Sequence, residues 1–274
     1  MKKETILQKA PATLIIILIC SAVFAAVHLM GMSSETEAGI VMGAYYKPLI
    51  LAGEWWRLLT VGFVHIGLLH LLMNMISFWS IGTVMEKMLG KRRYLIILFV
   101  SVIGGSLFLF ASGGNPVAVG ISGGLYGLLA CYIMILYVNN LLMIPQIRNS
   151  VLRMCFINLL INFYPGVSYA AHLGGCVTGL ILSLLLVRHP KLEKMRKSVM
   201  IAGAAFCTAM IFFCSRSLTI PSNEIYLQSD YNILKQYETF GFKNYAVSKA
   251  KNLDTIYGTG EWLENSLTGG SSYE

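Results

Sequence analysis

Apolar residues run almost unbroken through seven stretches of the chain, at about 12–30, 65–85, 94–112, 119–138, 150–163, 168–187 and 199–214, with polar or charged segments between them. Roughly 20 apolar residues wound as a helix cross the hydrocarbon core of a bilayer. The pattern therefore predicts seven membrane-spanning helices, the fifth being the shortest. The segment 113–118 (Gly-Gly-Asn-Pro-Val-Ala) and the Pro165-Gly166 pair read as turns. The expected fold class is all-α, a polytopic membrane helical bundle.

Composition supports the same class. Of 274 residues, 56% are hydrophobic and 12% charged, against roughly 25% charged in an ordinary soluble domain. A soluble fold of this length could not hide so much apolar surface, so the excess belongs in lipid. The net charge is +8, but the basic residues stand in short clusters between apolar stretches, and nucleic acid is not an expected partner. The six cysteines (Cys20, Cys131, Cys155, Cys176, Cys207 and Cys214) lie in or beside apolar segments with no CxxC and no metal-ligand spacing. They read as small core residues, not as a disulfide framework.

Lys2, Lys3 and Lys9 before the apolar run Ala12 to Val27 have the look of a signal peptide. Further spans follow, so an uncleaved first helix is expected, and Ile19 before Cys20 argues against a lipoprotein site. With the N-terminus inside, fourteen of the 21 basic residues fall on inner segments and, before the tail, only Lys47 and Arg57 fall outside. The expected layout is a cytoplasmic N-terminus (1–11), a membrane core (12–187), a basic cytoplasmic loop (188–198), one further membrane helix (199–214) and a soluble, extracytoplasmic tail (215–274). The protein is expected to be an integral multi-pass protein of a bacterial cell membrane.

The first outer connection, about 31–64, is long for a bundle and carries Trp55-Trp56-Arg57. Paired Trp followed by Arg suits the headgroup layer, where an indole is half buried and a guanidinium meets phosphate. The loop is expected to lie along the membrane surface. The tail looks partly helical and holds no catalytic motif.

Polar groups at bilayer depth are costly and are usually paired or functional. Here they are His70, Asn74, Glu86, Ser122, Tyr126 and His172. The second, fourth and sixth spans all run from outside to inside, and His70, Ser122 and His172 each lie about one turn into one of them. A hydroxyl and two imidazoles thus come to one level. Residues four apart share a helix face, so His70 projects with Asn74 and Ser122 with Tyr126, while His172, Gly175 and Gly179 line one stripe. Gly175-Cys-Val-Thr-Gly179 is a small-xxx-small pattern that lets two helix backbones approach closely. The Gly120-Ile-Ser122-Gly123-Gly124 run places Ser122 at a helix start, where free N–H groups can stabilise an oxyanion.

A serine needs a neighbouring base to become a nucleophile, and His172 is the best-placed one. No acid can complete a triad, because the only aspartates are Asp230 and Asp254 in the tail. A serine mechanism here is therefore a dyad, with His172 oriented by packing, for example against Tyr126. The same absence excludes an aspartyl mechanism, and the lack of HExxH excludes that type of zinc protease. Blander readings stand beside this one. A glycine-flanked serine in a membrane helix is by itself usually a packing residue, and His70 with Asn74 could be a structural pair. His65, His70 and His172 could be imagined around a metal, but no carboxylate at that depth would orient them, so neither metal nor cofactor is expected. Glu86 reads as a structural cap or as an ion-pair partner of Arg92 or Arg93.

Taken together the motifs resemble the rhomboid family. Gly120-Ile-Ser122-Gly123 is similar to its GxSG motif, His70-Leu-Leu-Met-Asn74 to HxxxN, and Ala171-His172-Leu-Gly-Gly175 with Gly179 to its histidine helix. Trp56-Arg57, and Glu86 followed by Gly90, also look like the family pattern. The resemblance covers about residues 50–187. It implies a six-helix core, with the 199–214 segment as a seventh helix, around a water-filled cavity opening outward. The implied activity is cleavage of other membrane proteins at or near their transmembrane segments, with Ser122 acylated and His172 as base. His70, Asn74 and the Ser122 N–H would form the oxyanion hole, with Gly120 beside it, and Tyr126 would stack on His172. A catalytically silent rhomboid-like protein that binds membrane clients is the first alternative, and a small transporter the second. No inverted repeat or midplane ion pair supports the latter.

Overall fold

The computed structural model describes residues 10–113, 117–161, 167–220 and 226–269. Lys2, Lys3 and Lys9, the Gly114-Asn-Pro116 part of the first expected turn, and Pro165-Gly166 lie outside the described residues. In chain order the helices are α1 (Pro11–Leu29), α2 (Glu35–Val41), α3 (Lys47–Leu51), α4 (Arg57–Thr60), α5 (Leu68–Leu89), α6 (Lys91–Ser112) and α7 (Ser122–Val138). They continue with α8 (Pro145–Ile161), α9 (Tyr169–Leu186), α10 (Pro190–Glu193), α11 (Arg196–Arg216), α12 (Leu227–Thr239), α13 (Lys243–Tyr257) and α14 (Trp262–Thr268). Two short strands, β1 (Tyr45–Tyr46) and β2 (Val117–Ala118), pair antiparallel, with Tyr45 opposite Ala118 and Tyr46 opposite Val117.

Among the described residues each of the seven apolar stretches carries a helix, but α8, on the fifth, is not one of those apolar enough to be counted as a membrane crossing. By length and composition α1, α5, α6, α9 and α11 can cross a membrane, and α7 is a shorter apolar helix. Its 17 residues span about 26 Å, less than the roughly 30 Å of a hydrocarbon core. The preceding backbone, Val117 to Gly120, is not helical and lines a cavity, the setting in which non-helical backbone is tolerated in membrane proteins. Gly120 at φ +109° explains why α7 begins at Ser122 and not near 119, since that conformation cannot belong to a right-handed helix. α8 begins earlier than the expected 150, because Pro145 pre-sets the first helical turn.

α9 occupies the centre, packed on α6 and α7, while α11 lies on the outside of α6 and α9. The crossing of α9 and α7 is close because both sides are glycine. A Cβ on Gly175 would run into the backbone of Gly123, and one on Gly179 into that of Gly127. Outward-facing Leu69, Ile76, Ile201 and Phe212 are exposed, as expected of helices whose outer solvent is lipid.

Glu86 decides between its two expected roles. Its carboxylate accepts from the Ala12 and Thr13 N–H groups at 2.9 and 2.8 Å and from the Thr13 hydroxyl at 2.9 Å. It is the missing N-terminal cap of α1, whose own Ala10 makes no side-chain cap bond. The ion pair with Arg92 or Arg93 is not formed. First-turn N–H groups have no intrahelical acceptor, and a carboxylate there also faces the positive end of the helix dipole.

Among the described residues two apolar cores result. One fills the membrane bundle around Phe78, Tyr94, Leu98 and Leu128. The second joins the first connection to the tail, with Ile40, Ala44, Tyr46 and Leu49 packed among Ile233, Leu234, Ala250 and Leu263. The three tail helices form one unit, and Asp254 of α13 caps the first turn of α14 by accepting from the N–H groups of Leu263 and Glu264, both at 3.0 Å.

Candidate active site

Ser122 is the first residue of α7 and His172 lies one turn into α9. The start of α9 is fixed by Ser168, whose hydroxyl accepts from Ala171 N–H at 3.2 Å, an ordinary N-cap arrangement. From these two helix starts the side chains meet, with His172 Nε2 2.7 Å from Ser122 Oγ. His172 is buried, at 6% exposure. The Tyr126 ring stacks on the imidazole, centroids 4.2 Å apart at 16°, and the Tyr126 hydroxyl donates to the Asn158 carbonyl of α8 at 2.8 Å. Tyr126 is therefore held at both ends, against the histidine and against the next helix.

On the other side of Ser122, α5 brings in His70 and Asn74. A Cβ placed on Gly120 would sit 3.0 Å from both Cε1 and Nε2 of His70 and 3.8 Å from Asn74 Nδ2. The two polar side chains thus converge on the backbone two residues before Ser122, and only glycine leaves them room. Asn74 Nδ2 also donates to the His70 carbonyl at 3.0 Å. Gly120 N–H donates to Val61 O at 3.0 Å, tying this strand to the end of the first connection.

The groups face one cavity of about 770 Å³, lined by Ser122, His172, His70, Asn74, Gly120 and Tyr126 among others. No Asp or Glu is among the described residues lining it. His65 is fully buried beside His70, ring centroids 5.3 Å apart, and does not line the cavity. The three histidines therefore do not converge on one point.

Trp56 and Arg57 stand outside the cavity. Trp55 and Trp56 are half exposed, at 51% and 45%. Arg57, expected to reach lipid phosphate, is instead fully buried. Its Nε donates to Glu54 at 2.5 Å and its two terminal nitrogens donate to Ile40 O, Ala44 O and the Tyr237 hydroxyl at 2.6, 2.8 and 2.6 Å. A buried guanidinium needs such saturation, since a charge left unpaired in the interior costs several kcal/mol. Two backbone carbonyls and a tail tyrosine carry no signal readable from the neighbourhood of Arg57 in sequence, so this partner set was illegible there. The carbonyl of Asn158 is a similar case.

The rhomboid domain family matches residues 52–189, half of the chain, and the match encloses every residue of this site. The chain belongs to the rhomboid family. Over 164 residues it is 34% identical to rhomboid protease GluP of Bacillus subtilis, covering 60% of this chain and 32% of that protein. It is 35% identical over 154 residues to RHOMBOID-like protein 5 of Arabidopsis thaliana, covering 55% and 50% of the two chains. Inactive RHOMBOID-like protein 8 of the same plant is 33% identical over 160 residues, covering 57% and 45%. The chain thus spans between a third and a half of the length of these relatives. It is an integral membrane protein of rhomboid type, and the residues after 189 lie beyond the family match.

Proposed function

We propose that this protein is an intramembrane serine endopeptidase that cleaves other membrane proteins at or near their transmembrane segments. The observation that carries the reading is the 2.7 Å contact of His172 Nε2 with Ser122 Oγ at the wall of a cavity within the bundle. With the imidazole neutral and its proton on Nδ1, Nε2 accepts the serine proton as Oγ attacks the scissile carbonyl. Charge then develops on the carbonyl oxygen. Ser122 N–H belongs to the first turn of α7 and has no intrahelical acceptor. With His70 and Asn74 it forms the donor set of the oxyanion hole.

Collapse of the tetrahedral intermediate breaks the C–N bond. The leaving amine takes the proton from His172, and the acyl group stays on Ser122. A water then gives its proton to His172 and attacks the ester, releasing the carboxylate product and restoring both residues. Tyr126 supplies by stacking the orientation that a carboxylate supplies in a triad.

The cavity is lined by Met73 and Ser77 of α5 and by Ile157 and Asn158 of α8, which provides for entry of a substrate segment from between these helices. A peptide carbonyl inside a helix is already bonded four residues ahead, so the substrate segment must unwind at the cut. Small residues at that point suit the narrow space beside Gly120. We place the N-terminus on the cytoplasmic side, on the distribution of basic residues, and the similarity to a Bacillus subtilis relative supports a bacterial cell membrane. No metal or cofactor takes part in this scheme.

The test is cleavage of a transmembrane reporter in liposomes. Turnover by the wild type and none by Ser122→Ala is the expected result, and equal cleavage by both would remove the reading.

A further inference from the structure

The tail lies outside the family match, yet it is fastened to the first connection by buried polar contacts. Tyr46 and Tyr257 both donate to the Asp230 carboxylate, each at 2.7 Å, and Asp230 is 1% exposed. Tyr237 accepts from Arg57 at 2.6 Å, while Tyr245 donates to Glu54 at 2.8 Å, the same carboxylate that pairs with Arg57. Lys249 and Asn252 donate to the Ala52 carbonyl at 2.9 and 3.2 Å. These contacts surround a shared apolar core. A carboxylate and a guanidinium buried in this way are satisfied only while the two parts stay docked.

The docked part of the first connection leads directly to the site. Tyr46, whose hydroxyl is bound in the tail, is in β1, and its backbone pairs with Val117 of β2. β2 runs on through Val119 to Gly120, against which His70 and Asn74 close, and then to Ser122. The same connection meets this strand again where Val61 O accepts from Gly120 N–H.

We propose that the C-terminal three-helix unit is an intramolecular clamp on the first connection, positioning through the β1–β2 pair the Gly120–Ser122 segment on which catalysis depends. Asp230 and Tyr237 on the tail, with Tyr46 and Arg57 on the connection, are its positioning residues. None of the four touches the cavity residues Ser122 or His172, so they act through the backbone. The clamp rests on the protease reading for its effect on turnover, but its mechanical part does not.

The experiment uses the full chain in liposomes with three readouts. Limited proteolysis reports release of the tail, hydrogen exchange of peptides covering 44–47 and 117–121 reports the strand pair, and Michaelis analysis of reporter cleavage reports the site. In Asp230→Ala/Tyr237→Ala the tail should be released, exchange in both peptides should rise by about tenfold or more, and kcat should fall by about tenfold with KM within about twofold. Thermal unfolding of the membrane bundle should be unchanged. Asp230→Asn with Tyr237 intact, which keeps the shape, one acceptor oxygen and the Arg57–Tyr237 bond, should restore docking, exchange and kcat to within about threefold of wild type. The proposal is overturned if the tail is released in the alanine variant while exchange at 117–121 and kcat stay at wild-type values. It is equally overturned if the tail stays protected in that variant. Should the wild type cleave nothing, the protease reading fails separately, and the exchange data still decide whether the tail holds the strand pair.

Discussion

His172 Nε2 lies 2.7 Å from Ser122 Oγ across a helix pair whose closest crossings are glycine on glycine, Gly175 over Gly123 and Gly179 over Gly127. The distance between these two side chains is thus set by the absence of side chains one and two turns below it. Valine at 179 would meet the Gly127 backbone with nowhere to move, and overpacking of this kind costs about 1–3 kcal/mol. The cost to geometry is larger, because a displacement of about 1 Å at a reacting pair lowers rate by about 100-fold. Gly179→Val should therefore insert normally and lose about 100-fold in kcat/KM. Reporter turnover within twofold of wild type would remove the close-packing account.

Gly120 carries a second, independent constraint. Its φ of +109° disfavours any side chain, and a Cβ would press on the His70 ring at 3.0 Å. Gly120→Ala should lower kcat by about 100-fold, the scale of losing one oxyanion donor, with KM nearly unchanged. A selective rise in KM would instead assign Gly120 to substrate binding.

Glu86 is a stability residue on this structure. Glu86→Ala would leave the Ala12 and Thr13 N–H groups buried without acceptors, at about 1–3 kcal/mol each. The expected outcome is a clear drop in thermal unfolding temperature in detergent with turnover at low temperature retained. Glu86→Gln, which still accepts, should fall between. An unchanged unfolding temperature in Glu86→Ala would contradict the cap.

Asp230 makes tail docking pH-dependent. Burial, reinforced by the nearby Glu37, holds its carboxyl at about 6 against a model-compound 3.8, although the Tyr257 and Tyr46 hydroxyls pull it down. Asn232, which donates to Glu37 at 3.2 Å, is the neutral polar neighbour. A raised acid means that the docked form binds the proton more tightly than the released form. Docking is therefore fully stabilised below about 4 and loses this contribution as pH rises through about 6. Protease release of the tail should be severalfold faster at pH 8 than at pH 5 in wild type and level in Asp230→Asn. The opposite slope would contradict the burial of a raised carboxyl at this contact.

The bundle was readable because lipid imposes a simple ruler: among the described residues each of the seven apolar stretches carries a helix, though five of these, not seven, are long and apolar enough to cross a membrane and α7 and α8 start at shifted positions. Span parity also put Ser122, His70 and His172 at one depth, and the four-residue spacings gave their faces. What sequence could not supply were partners that are backbone atoms or lie far along the chain. Arg57 looked like a headgroup residue because its acceptors include the carbonyls of Ile40 and Ala44, which have no residue-type signature. Its fourth acceptor, Tyr237, is 180 residues away. Glu86 was ambiguous for a related reason: its donors are the first N–H groups of α1, visible only once the helices are packed. The tail was legible only as soluble and partly helical, because its amphipathic helices show an apolar face without showing what covers it.

The central claim is that Ser122 is a nucleophile made reactive by His172. It is tested most directly by treating the full chain in liposomes with a fluorophosphonate and mapping the adduct by peptide mass. The account predicts one adduct, on Ser122, formed by the wild type and slowed by about 1,000-fold or more in His172→Ala, the scale at which a nucleophile depends on its base. An adduct elsewhere in the cavity, or labelling of Ser122 at an undiminished rate without His172, would contradict it.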